Sequence, residues 1–546
     1  MTLTTYNFAD VWESVVDRVA DRVALVCEGR ELTYASIEER SNRLAHVLAE
    51  SGVGPGDHVG VYLRNCPEYF EAMFACFKLR AVPININYRY VAGELRYLFD
   101  DSGIVALIAH RRFAVNVAEV VGGFDGFDPL DAITTVISVD DTGSPTPAGS
   151  IDYERALAAS SPERDFGPRS DDDRYVIYTG GTTGMPKGVV WRQGDAFFAC
   201  IGGGDPMRLN GPVDRPEEVL ERIIDFDFVA FPLAPMMHAA AQWTSLSWLY
   251  CGARVVMHPG SFDAHATWRA VEANKVSTLI IVGDAMARPL VDAWDRHGPF
   301  DASSMFALGS GGAPLSAALK DRLMELLPHV MVTDGFGSSE TGAQGSHRLQ
   351  AGSSTGGATR FTPLGDTTTV LDDERRPVAP GSGAIGRVAL TGRIPLGYHN
   401  DPERTAATFV EVEGRRWVLT GDMATVDDDG TIVLLGRGSQ AINTGGEKVF
   451  PEEVEGALKS HPAVYDALVV GVPDERFGER VCAVVSLRPG LEAGLDELAT
   501  HCRSTVAGYK VPRELVVVDE VVRSPVGKAD YRWARSAALS ALGMDE

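Results

Sequence analysis

Basic residues are in short supply in this chain. Fifty Lys and Arg stand against 75 Asp and Glu, a net charge of −25 over 546 residues. So acidic a chain repels phosphate backbones and anionic lipid, so no nucleic acid partner is expected. Long apolar runs are missing too. None reaches the roughly 20 residues that cross a bilayer, and no transmembrane segment is expected. The first nine residues hold no basic segment followed by an apolar run, so no secretory leader is expected. Cysteine is sparse: Cys27, Cys66, Cys76, Cys200, Cys251, Cys482 and Cys502 are scattered, odd in number and without CxxC or metal-ligand spacing. They read as reduced, mostly buried thiols of a cytoplasmic protein, not as a disulfide framework or a zinc site. The phosphate loop of the nucleotide triphosphatases is also absent, because it needs Gly-Lys followed at once by Ser or Thr and then a helix.

The chain is instead organised around Tyr178-Thr179-Gly180-Gly181-Thr182-Thr183-Gly184-Met185-Pro186-Lys187-Gly188. Tyr175 to Tyr178 leads in and Val189 to Trp191 leads out, both apolar, which predicts strand, glycine-rich loop, strand. Glycine lets backbone N–H groups turn inward and approach an anion closely. Threonine hydroxyls add donors and Lys187 adds a positive charge. The ligand this chemistry suits is a polyphosphate.

The length calls for more than one domain, and the 45% hydrophobic fraction is that of a globular protein with a core. From residue 8 to 85, apolar helix patterns alternate with buried-strand patterns such as Val23 to Cys27 and Val82 to Asn85. That alternation predicts an α/β fold with parallel strands. Residues 139 to 174 are rich in Asp, Ser, Pro and Gly and read as connecting loops. Residues 202 to 226 read as a surface excursion, or as the lip of a substrate entrance. Four later apolar runs end in small or polar residues: at His238, at Gly283-Asp284, at Ser310 to Pro314, and at Asp334 to Glu340. In open α/β sheets ligands collect beyond the carboxyl ends of strands. Around Gly436-Arg437-Gly438-Ser439 the chain turns polar, and a self-contained α/β pattern of about 100 residues follows. A boundary near residue 438 divides a large domain, 1–437, from a small one, 438–546.

The glycine stretch resembles the signature loop of the adenylate-forming superfamily, which includes acyl-CoA synthetases, luciferases and peptide-synthetase adenylation domains. Further motifs follow in that family's order over nearly the whole chain. The runs through Val189-Val190-Trp191 and from Asn443 to Glu455 look most like bacterial long-chain and steroid side-chain acid CoA ligases. What this implies is a large multi-layer domain binding ATP and the acyl substrate, and a small mobile lid.

The resemblance also implies roles. Thr179, Gly180, Gly181, Thr182, Thr183, Gly184 and Lys187 would cradle phosphates, with Gly180 standing where a serine is usual. Gly311, Gly312, Ala313 and Pro314 match the glycine loop beside the nucleotide. Asp334, Gly335, Phe336, Gly337, Ser338 and Ser339 match the next nucleotide element, with Phe336 stacking on adenine and Ser339 donating to the α-phosphate. Glu340 would hold Mg²⁺, a hard cation that wants oxygen ligands. Asp422 would bind the ribose hydroxyls and Arg437 would make a second nucleotide contact. His238 would gate or touch the substrate carboxylate. Lys528 would be the adenylation lysine, bringing charge to two anions that must meet. Gly445 and Gly446 would face the active site during thioester formation with coenzyme A. Ser439 departs from the usual Asp or Lys at the hinge, and Asn443 from the lysine usual after Ile442. Met236, Met237, Ala239 to Ala241, Trp243, Ala285 and Met286 would line the acyl pocket, unless Ala239 to Ala241 merely start a tightly packed helix. The partner expected is a hydrophobic carboxylic acid. The resemblance leaves a homodimer open.

Overall fold

The structure is a computed structural model that describes residues 3–123, 128–181, 184–353, 359–524 and 527–544. Its backbone is one 14-stranded mixed sheet with three smaller sheets around it. In the middle of the large sheet, Val229–Pro232, Thr278–Ile281, Ala307–Ser310 and Met331–Ser338 run parallel in that order. Val229–Pro232 and Thr278–Ile281 are short runs of mostly apolar residues, as suits strands covered on both faces, whereas Met331–Ser338 turns polar toward its end. Their carboxyl ends therefore lie side by side, and the four polar segments read from the sequence emerge along one edge of the fold.

Polar contacts hold those segments together. Gly283 N–H donates to Ser310 Oγ at 3.1 Å, and Asp284 Oδ1 accepts from Ser316 N–H at 2.7 Å. A Cβ on Gly283, whose φ is +48°, would lie 2.4 Å from the Pro314 carbonyl, so only glycine lets the two loops pack this closely. Asn85, 4% exposed, donates to the carbonyls of both Tyr178 and Met237 and so ties the glycine-rich hairpin to the segment carrying His238.

The hairpin itself is as expected: Arg174–Gly181 pairs antiparallel with Gly184–Arg192. Thr182 and Thr183 lie outside the described residues. A second five-stranded sheet, led by Val82–Asn85 and His58–Tyr62, is wholly parallel. Beyond residue 438 the chain forms its own sheet, centred on Val464–Asp474 and Gly478–Leu487, with Pro451–Lys459 and Tyr531–Leu542 as helices. The apolar residues there gather into two clusters of their own.

Three expectations need revision. Residues 139–174 are not only connecting loops, because a short strand, Ile151–Asp152, and a helix, Tyr153–Ala159, form within them. Asp152 caps that helix by accepting from Arg155 N–H, and Tyr153 is buried with its hydroxyl on Glu71. The 202–226 excursion packs inward as well as outward, with Gly203, Gly204, Val213 and Val219 buried. Finally, Asp334 to Ser338 is strand rather than loop. Met331–Ser338 turns straight back into Gly342–Leu349, so Glu340 sits at the tip of a hairpin.

Candidate active site

Glu340 is the centre of the site. Its carboxylate Oε1 lies 2.7 Å from Lys187 Nζ and accepts from the Tyr398 hydroxyl at 2.9 Å. Lys187 also donates to the Tyr398 oxygen at 2.8 Å. Burial acts to raise the Glu340 pKa, but the Lys187 charge and these hydrogen bonds outweigh it, and the carboxyl is held below the usual range. The hairpin tip is fixed by Trp191, whose indole N–H donates to the Ser339 carbonyl at 3.0 Å. Ser338 Oγ accepts from the Glu340 N–H.

A cavity of about 350 Å³ opens in front of this trio. Lys187, Ser338, Glu340 and Tyr398 form one wall, and Gly421, Asp422, Arg437, Gly438 and Ser439 form another. Asp422 stands on the Arg415–Val426 strand opposite Arg437, and its carboxylate is 3.4 Å from the Arg437 guanidinium. Burial raises the Asp422 pKa against the pull of Arg437.

Lys528, on the small domain, does not line this cavity but stands near enough for Arg437, Glu340 and Asp422 to act on its charge. It is exposed at the cleft, yet protein crowds it enough that lost hydration, and then Arg437, lower its pKa. Glu340 and Asp422 act in the other direction. The loop carrying it is pressed onto the large domain: a Cβ on Gly527, whose φ is +78°, would lie 2.4 Å from the Ala285 Cβ. His238 caps the Ala239–Leu249 helix nearby. Burial, then Lys528 and Arg89, press its pKa down to about 3, so the ring is neutral. Its Nε2 is buried and has no hydrogen-bond partner in the protein. A buried ring nitrogen left open in this way suits a ligand contact, not proton transfer at neutral pH.

The other expected residues are distributed less simply. Asp334 is 7% exposed and its carboxylate is taken by buried Lys320 at 2.6 Å, so it is a packed ion pair and does not line the cavity. One face of Phe336 is stacked on Phe361, with centroids 4.6 Å apart, which leaves at most its other face to a base. Gly311 lies against Gly335: a Cβ there would be 3.6 Å from the Gly335 carbonyl. Gly312 has φ +80°, and Ala313 is half-buried in the same turn. Gly337 passes so close to the Gly342 carbonyl that a Cβ would come within 2.1 Å. In the glycine hairpin Thr179 pairs with Lys187 and Gly181 with Gly184, and a Cβ on Gly180 would meet the Tyr90 hydroxyl at 3.7 Å. Gly445 and Gly446 form the exposed turn between Ile442–Thr444 and Glu447–Val449, both at positive φ, away from the cavity in this arrangement.

Sequence reasoning missed Tyr398, which joins Lys187 to Glu340, and Asn85. The signal for Tyr398 was Gly397, whose φ of +151° and tight approach to Thr405 fix the strand Gly397–Tyr398 against the glycine hairpin. Nothing local marked Asn85, which works only through its distant partners.

Comparison with known proteins agrees with this geometry. Residues 12–398 match the AMP-binding enzyme family, and residues 453–528 match the AMP-binding enzyme C-terminal domain. The chain is 52% identical to a 3-oxocholest-4-en-26-oate–CoA ligase of Rhodococcus rhodochrous, over 97% of this chain and 95% of the relative. It is 47% identical to a medium/long-chain-fatty-acid–CoA/3-oxocholest-4-en-26-oate–CoA ligase of Mycobacterium tuberculosis, with the same shares covered. Among solved structures, an anthranilate CoA ligase in complex with anthranoyl-AMP superposes with a TM-score of 0.85 at 25% identity, covering 100% of this chain and 99% of that one. The chain belongs to the AMP-binding enzyme family.

Proposed function

We propose that this chain is an ATP-dependent acyl-CoA synthetase acting on a hydrophobic carboxylic acid, a steroid side-chain acid or a long-chain fatty acid. The observation that carries the reading is that Lys187, Glu340, Asp422 and Arg437 line one cavity while Lys528 stands near enough for Arg437, Glu340 and Asp422 to act on its charge. An acid carboxylate and the α-phosphate of ATP are both anionic, and a cation between them lowers the cost of their approach. In the first step a carboxylate oxygen bonds to the α-phosphorus and pyrophosphate leaves. In the second, the sulfur of coenzyme A bonds to the acyl carbon, AMP leaves, and the thiol proton passes to solvent.

Lys528 orients carboxylate and phosphate, Lys187 meets the phosphates, Asp422 receives the ribose hydroxyls, and neutral His238 touches the acid. Glu340 is the residue that would hold Mg²⁺. One carboxylate beside substrate phosphates is a donor set that ion accepts. Among the described residues no group of three or more His, Cys, Asp or Glu gathers that would hold a metal without substrate. When bound, the ion would offset phosphate charge. Among the described residues no helix is long and apolar enough to cross a membrane, and all seven cysteines are free and buried, which suits work in the cytoplasm.

The acid class is supported by the names of the relatives and by the lining read from the sequence. Met236 and Met237 are 2% exposed, and Ala239 to Ala241 form the first turn of a helix behind His238. Small residues and adaptable methionines suit a wide hydrocarbon, and each buried methylene contributes about 0.8 kcal/mol. The test is pyrophosphate release and thioester formation across acetate, benzoate, coumarate, long fatty acids and steroid side-chain acids. The highest kcat/KM is expected for the steroid or long-chain acids. Benzoate as the best substrate would overturn the acid class.

A further inference from the structure

Lys528 sits on a turn held by backbone hydrogen bonds and by the Arg523 side chain. Ser524 N–H donates to the Lys528 carbonyl at 2.7 Å, Gly527 N–H donates to the Ser524 carbonyl at 2.7 Å, and Arg523 bridges to Ala529 across the base. The Arg523 side chain turns back under this loop. Its guanidinium grips Asp466 through two hydrogen bonds, Nε at 2.7 Å and Nη2 at 2.8 Å, and Nη1 donates to the Gly527 carbonyl at 3.4 Å. A planar fork held at both teeth cannot swing, so the carbonyl just ahead of Lys528 is fixed to the body of the small domain.

Asp466 does not stand alone. Lys459 Nζ, 8% exposed, is 3.7 Å from Asp466 and 3.5 Å from Asp284 of the large domain. Asp284 is 5% exposed, its Oδ2 makes no hydrogen bond, and it faces Arg288 at 3.9 Å as well as Lys459. Tyr465 donates to Asp292 and lies under the Arg288 guanidinium, at 4.9 Å from its centroid. Glu455 lies buried beside Lys459 and Arg523, and burial pushes its carboxyl up toward the neutral form. A run of buried charge thus leads from the helix Gly283–His297 of the large domain to the lysine loop of the small one. The same helix bears Ala285, against which Gly527 is pressed.

We propose that Arg523 is a positioning residue for Lys528, and that the Asp284–Lys459–Asp466–Arg523 run makes docking of the small domain and placement of that lysine one event. It rests on the reading of Lys528 as the adenylation lysine. Lys528 supplies the charge. Arg523 decides where the charge stands, and Asp284 with Lys459 reports that the small domain is seated. When the domain turns away the Lys459–Asp284 pair opens, so the run has no part in thioester formation.

Two half-reactions of the full chain separate these roles: acid-dependent ATP–pyrophosphate exchange, and thioester formation from a preformed acyl-adenylate and coenzyme A. Arg523→Ala is expected to lower the exchange kcat by about a hundredfold, the scale for displacing a reacting group by roughly 1 Å. KM for ATP and the thioester step should stay within about threefold of the parent. Arg523→Lys, which keeps charge but not the fork, should recover part of the loss. Asp284→Asn lies in the large domain and keeps an acceptor for Ser316, and it should lower exchange about tenfold with the thioester step unchanged. Equal loss of both half-reactions in Asp284→Asn and Arg523→Lys would overturn the proposal in favour of a purely structural role, and so would unchanged exchange in either. If Lys528→Ala retains exchange, the reading beneath the proposal fails. If Lys528→Ala abolishes exchange while Arg523→Ala does not, only the positioning role fails.

Discussion

Individual side chains in this site differ in how much their surroundings have altered them. Lys187 and Glu340 neutralise each other across 2.7 Å, and Tyr398 holds both, so they form a fixed ion pair rather than two free charges. His238 is altered most. With its pKa near 3 it carries no positive charge over the working range, and any ligand it meets would find a neutral ring. His238→Asn should therefore raise KM for the acid and lower kcat/KM about tenfold, the worth of about one hydrogen bond. The shape of the pH profile between pH 5 and 8 should not change. An inflection in that range that vanishes in the variant would show that His238 titrates during turnover.

At the scale of elements, the hinge strand Ile432–Arg437 and the helix Pro451–Lys459 meet through Glu452. A Cβ on Gly436, whose φ is +130°, would lie 1.9 Å from the Glu452 carboxylate, which accepts from the Arg437 N–H. Burial, with Glu455 close by, pushes Glu452 up to about 8. The folded form thus prefers Glu452 protonated, whereas an unfolded chain ionises it near pH 4.3. The contribution to stability is complete below that pH and is lost as pH rises through about 8. Glu452→Gln should gain stability relative to the parent between pH 5 and 8.5, measured as the difference in thermal midpoint. A difference that stays constant over that range would contradict the assignment.

The same elements show what a sequence can disclose. The glycine hairpin and the Val23–Cys27 and Val82–Asn85 strands were legible because turn chemistry and apolar runs are local signals. Asp334 was misread because its partner Lys320 is paired across space and no local pattern announces it. Tyr398 was missed because it meets Lys187 from 211 positions away. Short range decides the elements, whereas the site is an agreement among residues that only the folded sheet brings together.

For the whole molecule, one cleft has to serve two reactions. The small domain brings Lys528 near Arg437, Glu340 and Asp422 and leaves Gly445 and Gly446 exposed, which under the proposed function would be the arrangement for adenylation. Under the proposed function, thioester formation would use the other face of that domain, and Gly436 and Gly438 would flank the point where the chain turns. The central claim is that the acid is joined to AMP before it is joined to coenzyme A. Transfer of carboxylate oxygen tests it directly. Acid labelled with ¹⁸O in both oxygens is turned over with ATP and coenzyme A, and the nucleotide product is weighed by mass spectrometry. An adenylate route predicts AMP carrying one ¹⁸O, because the bridging oxygen leaves with the phosphate, together with unlabelled pyrophosphate. Unlabelled AMP, or ADP with labelled inorganic phosphate, would contradict it.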